Sequence, residues 1–308
     1  MEKETTKKIA PYLIFLAAML WATDAPFRLY LTEGFSSNFI VLAEHTVDVL
    51  FILPILYFGF RELKKLKIKE WLSVLIIAIG GSALASIAFT QAFHYVNPSV
   101  AILLQKLQPL IAIALATSLL KEKLSKKFWL WAILALLGAY LISFSGFIPQ
   151  LFPGEKFNPN LTGVLLALLA AILWGASTVL GKVVLNKINF KLMTALRFFV
   201  AWIFLLALNI VEHSLPKFSQ ITGKDYLFIF IIAIASGVIS LFIYYLGLGH
   251  TKASIATLAE LGFPMAAVII NWIFIPQGSL TFVQILGIII LLFAIFKLSR
   301  ENSNVEFV

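Results

Sequence analysis

The stretch "NPSVAILLQKLQP", Asn97 to Pro109, and the stretch "KASIATLAELGFP", Lys252 to Pro264, lie 155 positions apart and share one pattern. Ser99 meets Ser254, Gln105 meets Glu260 and Pro109 meets Pro264. A second alignment, at a shift of 153, lays "LAAMLWATDAP" from Leu16 over "LAAILWGASTV" from Leu169, so that Trp21 falls on Trp174 and Glu44 on Arg197. Two near-constant offsets that differ by a two-residue indel read as an internal duplication, with residues 1–149 and 157–308 as its halves.

The composition places that duplication in a membrane. A hydrophobic content of 61%, a charged content of 13% and a mean hydropathy of +0.97 exceed those of soluble domains, and the apolar residues come in blocks of about 20. The blocks predict ten spans, roughly at 10–31, 38–60, 71–93, 98–120, 128–148, 161–185, 190–211, 226–248, 253–275 and 280–296. The spacing therefore predicts an all-α membrane protein of ten transmembrane helices with short turns and no soluble domain. The absence of cysteine excludes disulfides, thiolate metal sites and a cysteine nucleophile. No metal site and no cofactor are expected.

A net charge of +9 raises a nucleic-acid reading, which the placement of the charges argues against, because they flank apolar runs. With the N-terminus inside, 17 of the 24 basic residues fall in inside segments and 3 in outside loops. Both termini are thus expected in the cytoplasm, in a multi-pass protein of the cytoplasmic membrane. The opening "KKIAPYLIFLAAML" imitates a signal peptide, but the repeat makes it a structural span.

Five spans per half is an odd number, so the second half must cross the bilayer with the opposite orientation. That is the inverted-repeat plan of secondary transporters, in which two halves rock about a central cavity.

Four stretches carry a family likeness: "LWGASTVLGK" from Leu173, "ALRFFVA" from Ala195, "AFHYVNPSVAILLQKLQPLIAIALATSLLKEKL" from Ala92 and "LGLGHTKASIATLAELGFP" from Leu246. The chain resembles the EamA-type repeats of the drug/metabolite transporter superfamily over nearly its whole length. The most specific part is the fourth-span pattern of a short turn, small residues, a polar pair, proline and then Glu122. The resemblance implies ten helices in two inverted repeats that move metabolites, often outward, through a central cavity, and leaves the cargo open. The chain departs from the family's pattern in its first half, where Glu44 stands at the arginine position and Asp24 follows Trp21 by three residues, whereas the second half keeps Arg197 and Lys182.

The polar residues inside the spans are the candidate site. A charge at the bilayer centre costs about 3 kcal/mol on insertion scales, so Lys106 needs a partner away from lipid. Gln105 and Gln108 share a helix face beside it, and Pro109 withholds a backbone donor from the carbonyl of Gln105. The acidic partners are expected in the first two spans, from Asp24, Glu44 and Asp48, with His45 alongside. Asp24 and Arg28, four apart, also suit a pair along their own helix. Glu44 and Asp48, one turn apart, would repel as two ionised carboxylates, which makes them candidates for proton coupling together with Glu260. As the repeat mate of Gln105, Glu260 is expected at a comparable depth across the cavity, or in a salt bridge to Lys106, Lys182 or Arg197. Trp21, Trp174 and Tyr245 are candidate cavity walls, with a hydroxyl from Ser177. Trp71, Trp129 and Trp131 read as interfacial anchors, and "IGGSALAS" and "ASGVIS" as close helix crossings.

The expected function is a secondary transporter, an exporter of small metabolites, working by alternating access and coupled to protons. An acid-rich first half points to amino-acid-like or amine-bearing cargo. The expected partners are a small-molecule substrate, protons and the lipid bilayer, with no nucleic acid; a monomer is expected, with a dimer left open. A membrane-embedded enzyme is the alternative from another class, but HExxH and GxSxG are both absent from the sequence. A channel would want rings of like charge or a carbonyl filter, and neither is visible.

Overall fold

Each apolar run becomes a helix because a chain crossing lipid must satisfy its backbone N–H and C=O groups within itself. The computed structural model describes residues 2–96, 98–143, 160–274 and 280–303. Ten helices long and apolar enough to cross a membrane run over Thr5–Thr32, Ser37–Lys65, Ile68–Ala92, Val100–Leu119, Lys126–Ser143, Leu161–Leu185, Phe190–Val211, Gly223–Gly249, Ala253–Ile270 and Phe282–Asn302, here spans 1 to 10. No strand occurs among the described residues. Two expected helix ends, residues 144–148 and 275, lie outside them. Large apolar side chains such as Leu50, Phe58, Ile133, Leu161 and Phe282 point outward and stay exposed. On a ten-helix bundle that outer surface is the lipid face.

Helix pairing carries the signature of the duplication. Span 1 packs along span 8 and span 3 along span 6, while spans 2 and 7, 4 and 9, and 5 and 10 pair with each other. Adding five to a first-half span number sends the 1–8 pair onto the 6–3 pair and each of the other three pairs onto itself. That is the packing of two halves related by a two-fold rotation, and the odd span count lays its axis in the membrane plane.

The breaks in the helices recur in the same way. Span 4 is interrupted between Gln105 and Gln108, where Lys106 and Leu107 donate back three residues, to Leu103 and Leu104. Span 9 is interrupted between Ala259 and Gly262, beside Glu260. Both interruptions precede a proline, Pro109 and Pro264, whose missing N–H accounts for them. Spans 3 and 8 each hold a π-helical stretch, Ile76–Leu84 and Ile232–Ile239. These contain most of the small-residue segments expected at close crossings, and in both a glycine meets a polar side chain of the other half. An ideal Cβ on Gly81 would overlap Ser177 Oγ, and one on Gly237 would fall 2.5 Å from Asp48 Oδ1. Span 1 alone breaks at Ala22–Asp24, ahead of Pro26, while its mate, span 6, runs unbroken.

Glu122, just past span 4, closes one end of the bundle. Its Oε1 accepts the backbone N–H of Ala253 at 2.7 Å, and its Oε2 accepts the Ser254 hydroxyl at 2.6 Å and the Ser254 N–H at 3.2 Å. The carboxylate thus caps the first turn of span 9, where the exposed N–H groups and helix dipole favour negative charge. Glu122→Ala should lower stability by about 2 kcal/mol, the scale of a lost charged cap. Thermal unfolding in detergent micelles measures it, and an unchanged midpoint would show that the clasp contributes nothing.

Candidate functional site

Spans 1 to 4 and 6 to 9 surround a cavity of about 240 Å³; spans 5 and 10 take no part in its lining. Its polar groups gather at two depths, because consecutive spans run in opposite directions. Asp24, Arg28 and Glu44 lie in the second half of span 1 and the first half of span 2, toward one end of the bundle. Arg197, Tyr244 and Glu260 lie near the start of span 7, the end of span 8 and the start of span 9, toward the other.

At the first pole the Arg28 guanidinium stands between two carboxylates. Its Nε and Nη2 donate to Asp24 Oδ2 at 3.0 and 2.9 Å, and Nη2 also donates to Glu44 Oε2 at 2.9 Å. The bend at Pro26 leaves the four-residue spacing of the Asp24–Arg28 pair intact. One turn deeper, Asp48 is buried, and no hydrogen bond reaches its Oδ1 from the described residues. Glu44 Oε1, His45 Nε2 and Arg28 Nη1 are likewise buried and without such a partner. His45 Nδ1 lies 2.9 Å from the carbonyl of Val41, and its ring packs edge-on against Phe198 at 5.4 Å.

At the second pole Glu260 is held by neutral donors. Tyr244 OH and Thr178 Oγ1 donate to its Oε1 at 2.8 and 3.0 Å, and Gln108 Nε2 donates to its Oε2 at 2.5 Å. One carboxylate thereby ties together spans 4, 6, 8 and 9. Arg197 donates to Ser82 Oγ at 2.5 Å and to Tyr245 OH at 2.9 Å.

Aromatic rings from both halves form the walls between the poles. Trp21 packs on Tyr244 with centroids 5.2 Å apart, and Trp174 packs on Phe89 at 5.2 Å. Each of these pairs joins one half to the other, and the two tryptophans are repeat mates. Trp174 Nε1 donates to the carbonyl of Gly81 at 2.9 Å, which fixes its ring plane.

The lining includes Trp21, Asp24, Glu44, His45, Asp48, Gln105, Lys106, Gln108, Trp174, Ser177 and Glu260. Tyr245, expected as a wall, is fully buried outside the lining, where it accepts from Arg197; its neighbour Tyr244 is the wall residue. A step of one residue turns a helical side chain by about 100°, and the repeat gave no means of choosing between adjacent tyrosines. Lys106 hydrogen-bonds to Ser143 Oγ of span 5 rather than to the acids of the first two spans, of which Asp24 and Glu44 pair with Arg28. Glu260 accepts from Gln108, one turn along span 4 from its repeat mate Gln105, and its donors Gln108, Thr178 and Tyr244 are neutral groups rather than Lys106, Lys182 or Arg197. Lys182 lies outside the cavity, donating to the carbonyls of Leu248 and Gly249 at 2.9 and 2.8 Å. Among the described residues no group of acids and histidines is placed to hold a metal ion. Sequence reasoning missed Phe89, Thr178, Ser236 and Gly237 as lining residues; only the small-residue stretch around Gly237 offered a signal.

Comparison with known proteins gives the fold and cavity a lineage. The model of the EamA-like transporter family matches twice, over residues 8–144 and 161–300. A protein of Fusobacterium nucleatum named riboflavin transporter ImpX is 33% identical over 299 residues, covering 94% of this chain and 97% of its own length. The uncharacterized transporter YetK of Bacillus subtilis is 24% identical over 251 residues, 82% of this chain and 74% of its own. A solved crystal structure superposes with a TM-score of 0.75 over 95% of this chain and 98% of its own; at 16% identity the likeness is one of fold alone. This chain is a multi-pass membrane protein and belongs to the EamA-like transporter family.

Proposed function

We propose that this transporter carries a flavin-type molecule, a flat heteroaromatic ring bearing a hydroxylated chain, by alternating access between its two halves. The observation that carries this reading is the pair of cross-half aromatic contacts, Trp21 on Tyr244 and Trp174 on Phe89, lining one cavity. Aromatic rings offer broad apolar faces to a planar ligand, while a few placed polar groups orient it. The name of the F. nucleatum relative agrees with such a cargo. The lining carries four carboxylates, Asp24, Glu44, Asp48 and Glu260, against three cations, Arg28, Lys106 and Arg197. That near-balance suits an uncharged ligand. The amine-bearing cargo expected from the acid-rich first half has less support, because Arg28 already stands where a ligand cation would have stood.

The distribution of basic residues supports a place in the cytoplasmic membrane with both termini inside, which turns the Asp24–Arg28–Glu44 pole outward and the Glu260 pole inward. Proton coupling draws its support from the partnerless oxygens of Glu44 and Asp48 rather than from Glu260, whose carboxylate already has three donors.

Proteoliposomes containing the purified protein should take up riboflavin saturably and exchange internal for external riboflavin, and an imposed pH gradient should accelerate net movement. Loading the vesicles from inside reads the direction, outward in the expectation drawn from the resemblance. Absence of saturable flux and of exchange would remove the flavin reading, while flux indifferent to the gradient would remove only the coupling.

A further inference from the structure

The unsatisfied atoms of the outer pole specify a ligand chemistry. Buried polar atoms in folded proteins nearly always have a partner, so a cluster without one calls for an explanation. Among the described residues five such atoms belong to residues lining this cavity: Thr257 Oγ1 of span 9 and, at the outer pole, Arg28 Nη1 of span 1 with Glu44 Oε1, His45 Nε2 and Asp48 Oδ1 of span 2. The three side chains from span 2 are each more than nine-tenths buried.

Their hydrogen-bonding roles differ. Arg28 Nη1 can only donate, and a carboxylate oxygen accepts. The carbonyl of Val41 accepts from His45 Nδ1, which places the ring proton there and leaves Nε2 of the neutral imidazole as an acceptor. The cluster therefore presents one donor beside three acceptors, spread over about 6 Å of helix rise.

A ligand ammonium would satisfy the acceptors but would face Arg28 with a like charge and nothing to accept from it. A ligand carboxylate would suit Arg28 and be repelled by Glu44 and Asp48. A hydroxyl both donates and accepts, carries no charge, and recurs along a chain. We infer that Glu44, His45 and Asp48, with Arg28, form a subsite that binds the hydroxylated chain of the cargo and so sets the preference for chain-bearing flavins over bare rings. This rests on the flavin reading above, with the ring left to the aromatic walls.

Span 8 positions the subsite. Asp48 lies so close to Gly237 that a methyl group there would fall 2.5 Å from Oδ1 and 3.2 Å from the carboxyl carbon. Asp48 is short and buried, so an added methyl group must turn its carboxylate away from its present place.

The test is quenching of flavin fluorescence by the purified transporter, with riboflavin compared against lumiflavin, the same ring carrying a methyl group in place of the chain. A site built to hydrogen-bond a hydroxyl discriminates strongly against an analogue lacking it. Wild type should bind riboflavin at least tenfold more tightly than lumiflavin. Asp48→Asn, close to isosteric, should lose about tenfold in riboflavin affinity while holding lumiflavin within twofold. Gly237→Ala should reproduce that selective loss with every polar residue intact, and size-exclusion profiles confirm that both variants fold. Equal affinity of wild type for the two flavins, or equal losses for both in the variants, would overturn the subsite and leave the flavin reading standing. Wild type that binds neither flavin would overturn both.

Discussion

Gly138→Leu should abolish recovery of folded transporter, and Gly138→Ala alone should destabilise it by about 1 to 3 kcal/mol, the range for forcing atoms into a filled contact. The sign is the informative part, since alanine ordinarily stabilises a helix by about 1 kcal/mol relative to glycine. An ideal Cβ on Gly138 would lie 2.8 Å from Leu291 N and 2.9 Å from the Gly287 carbonyl oxygen. From the other side, a Cβ on Gly287 would lie 2.8 Å from both the Gly138 oxygen and Ile142 N. Every one of these neighbours is backbone, which cannot rotate away, so spans 5 and 10 would have to separate. In lipid that seam has no hydrophobic drive, and close backbone approach through small residues is what holds it. Gly223→Ala, where nothing lies within 4 Å, is the matched control and should be neutral or slightly stabilising. Denaturant unfolding in mixed micelles compares them; a Gly138→Leu protein with the parent's midpoint would refute the seam.

Sequence pattern made the fold legible for a physical reason. Lipid demands about 20 apolar residues per crossing, and that demand fixes span number and placement without knowledge of packing. The duplication, with its odd span count, made the inverted orientation of the second half legible, whereas the pairing of particular spans depends on packing. Charged lining residues of the cavity were legible where burial of charge is expensive, as at Asp24, Glu44, Asp48, Lys106 and Glu260. Neutral lining residues such as Thr178, Ser236 and Phe89 carry no such signature, since each is equally at home in a helix crossing. Partner choice was the least legible: Arg28 bridges two helices and Lys106 reaches Ser143, contacts set by helix rotation rather than by spacing along the chain. The Gly138–Gly287 approach was invisible because each glycine stands alone in its own helix and acquires meaning only opposite the other.

Arg28→Met should cost about 3 to 5 kcal/mol of stability, the scale for leaving buried charge without its counter-ion. The Asp24 and Glu44 side chains are 18% and 8% exposed, and both direct an oxygen to the same guanidinium nitrogen. Remove that nitrogen and two carboxylates are left close together in a poorly solvated site. Neutralising them tests the cause: Asp24→Asn with Glu44→Gln should each be destabilising beside Arg28, yet combined with Arg28→Met should restore most of the loss, because a buried ion network replaced as a unit leaves no stranded charge. Such non-additivity separates electrostatics from packing, for a purely steric role would make the three changes add. Arg28→Lys should fall between, since a compact ammonium keeps the charge but lacks the planar fork by which Arg28 holds Asp24 through Nε and Nη2 while reaching Glu44. Denaturant unfolding of the full cycle supplies the coupling energy; a value near zero would mean the carboxylates do not depend on Arg28. Restored stability without restored riboflavin exchange would then assign the three charges to the transport cycle rather than to the fold.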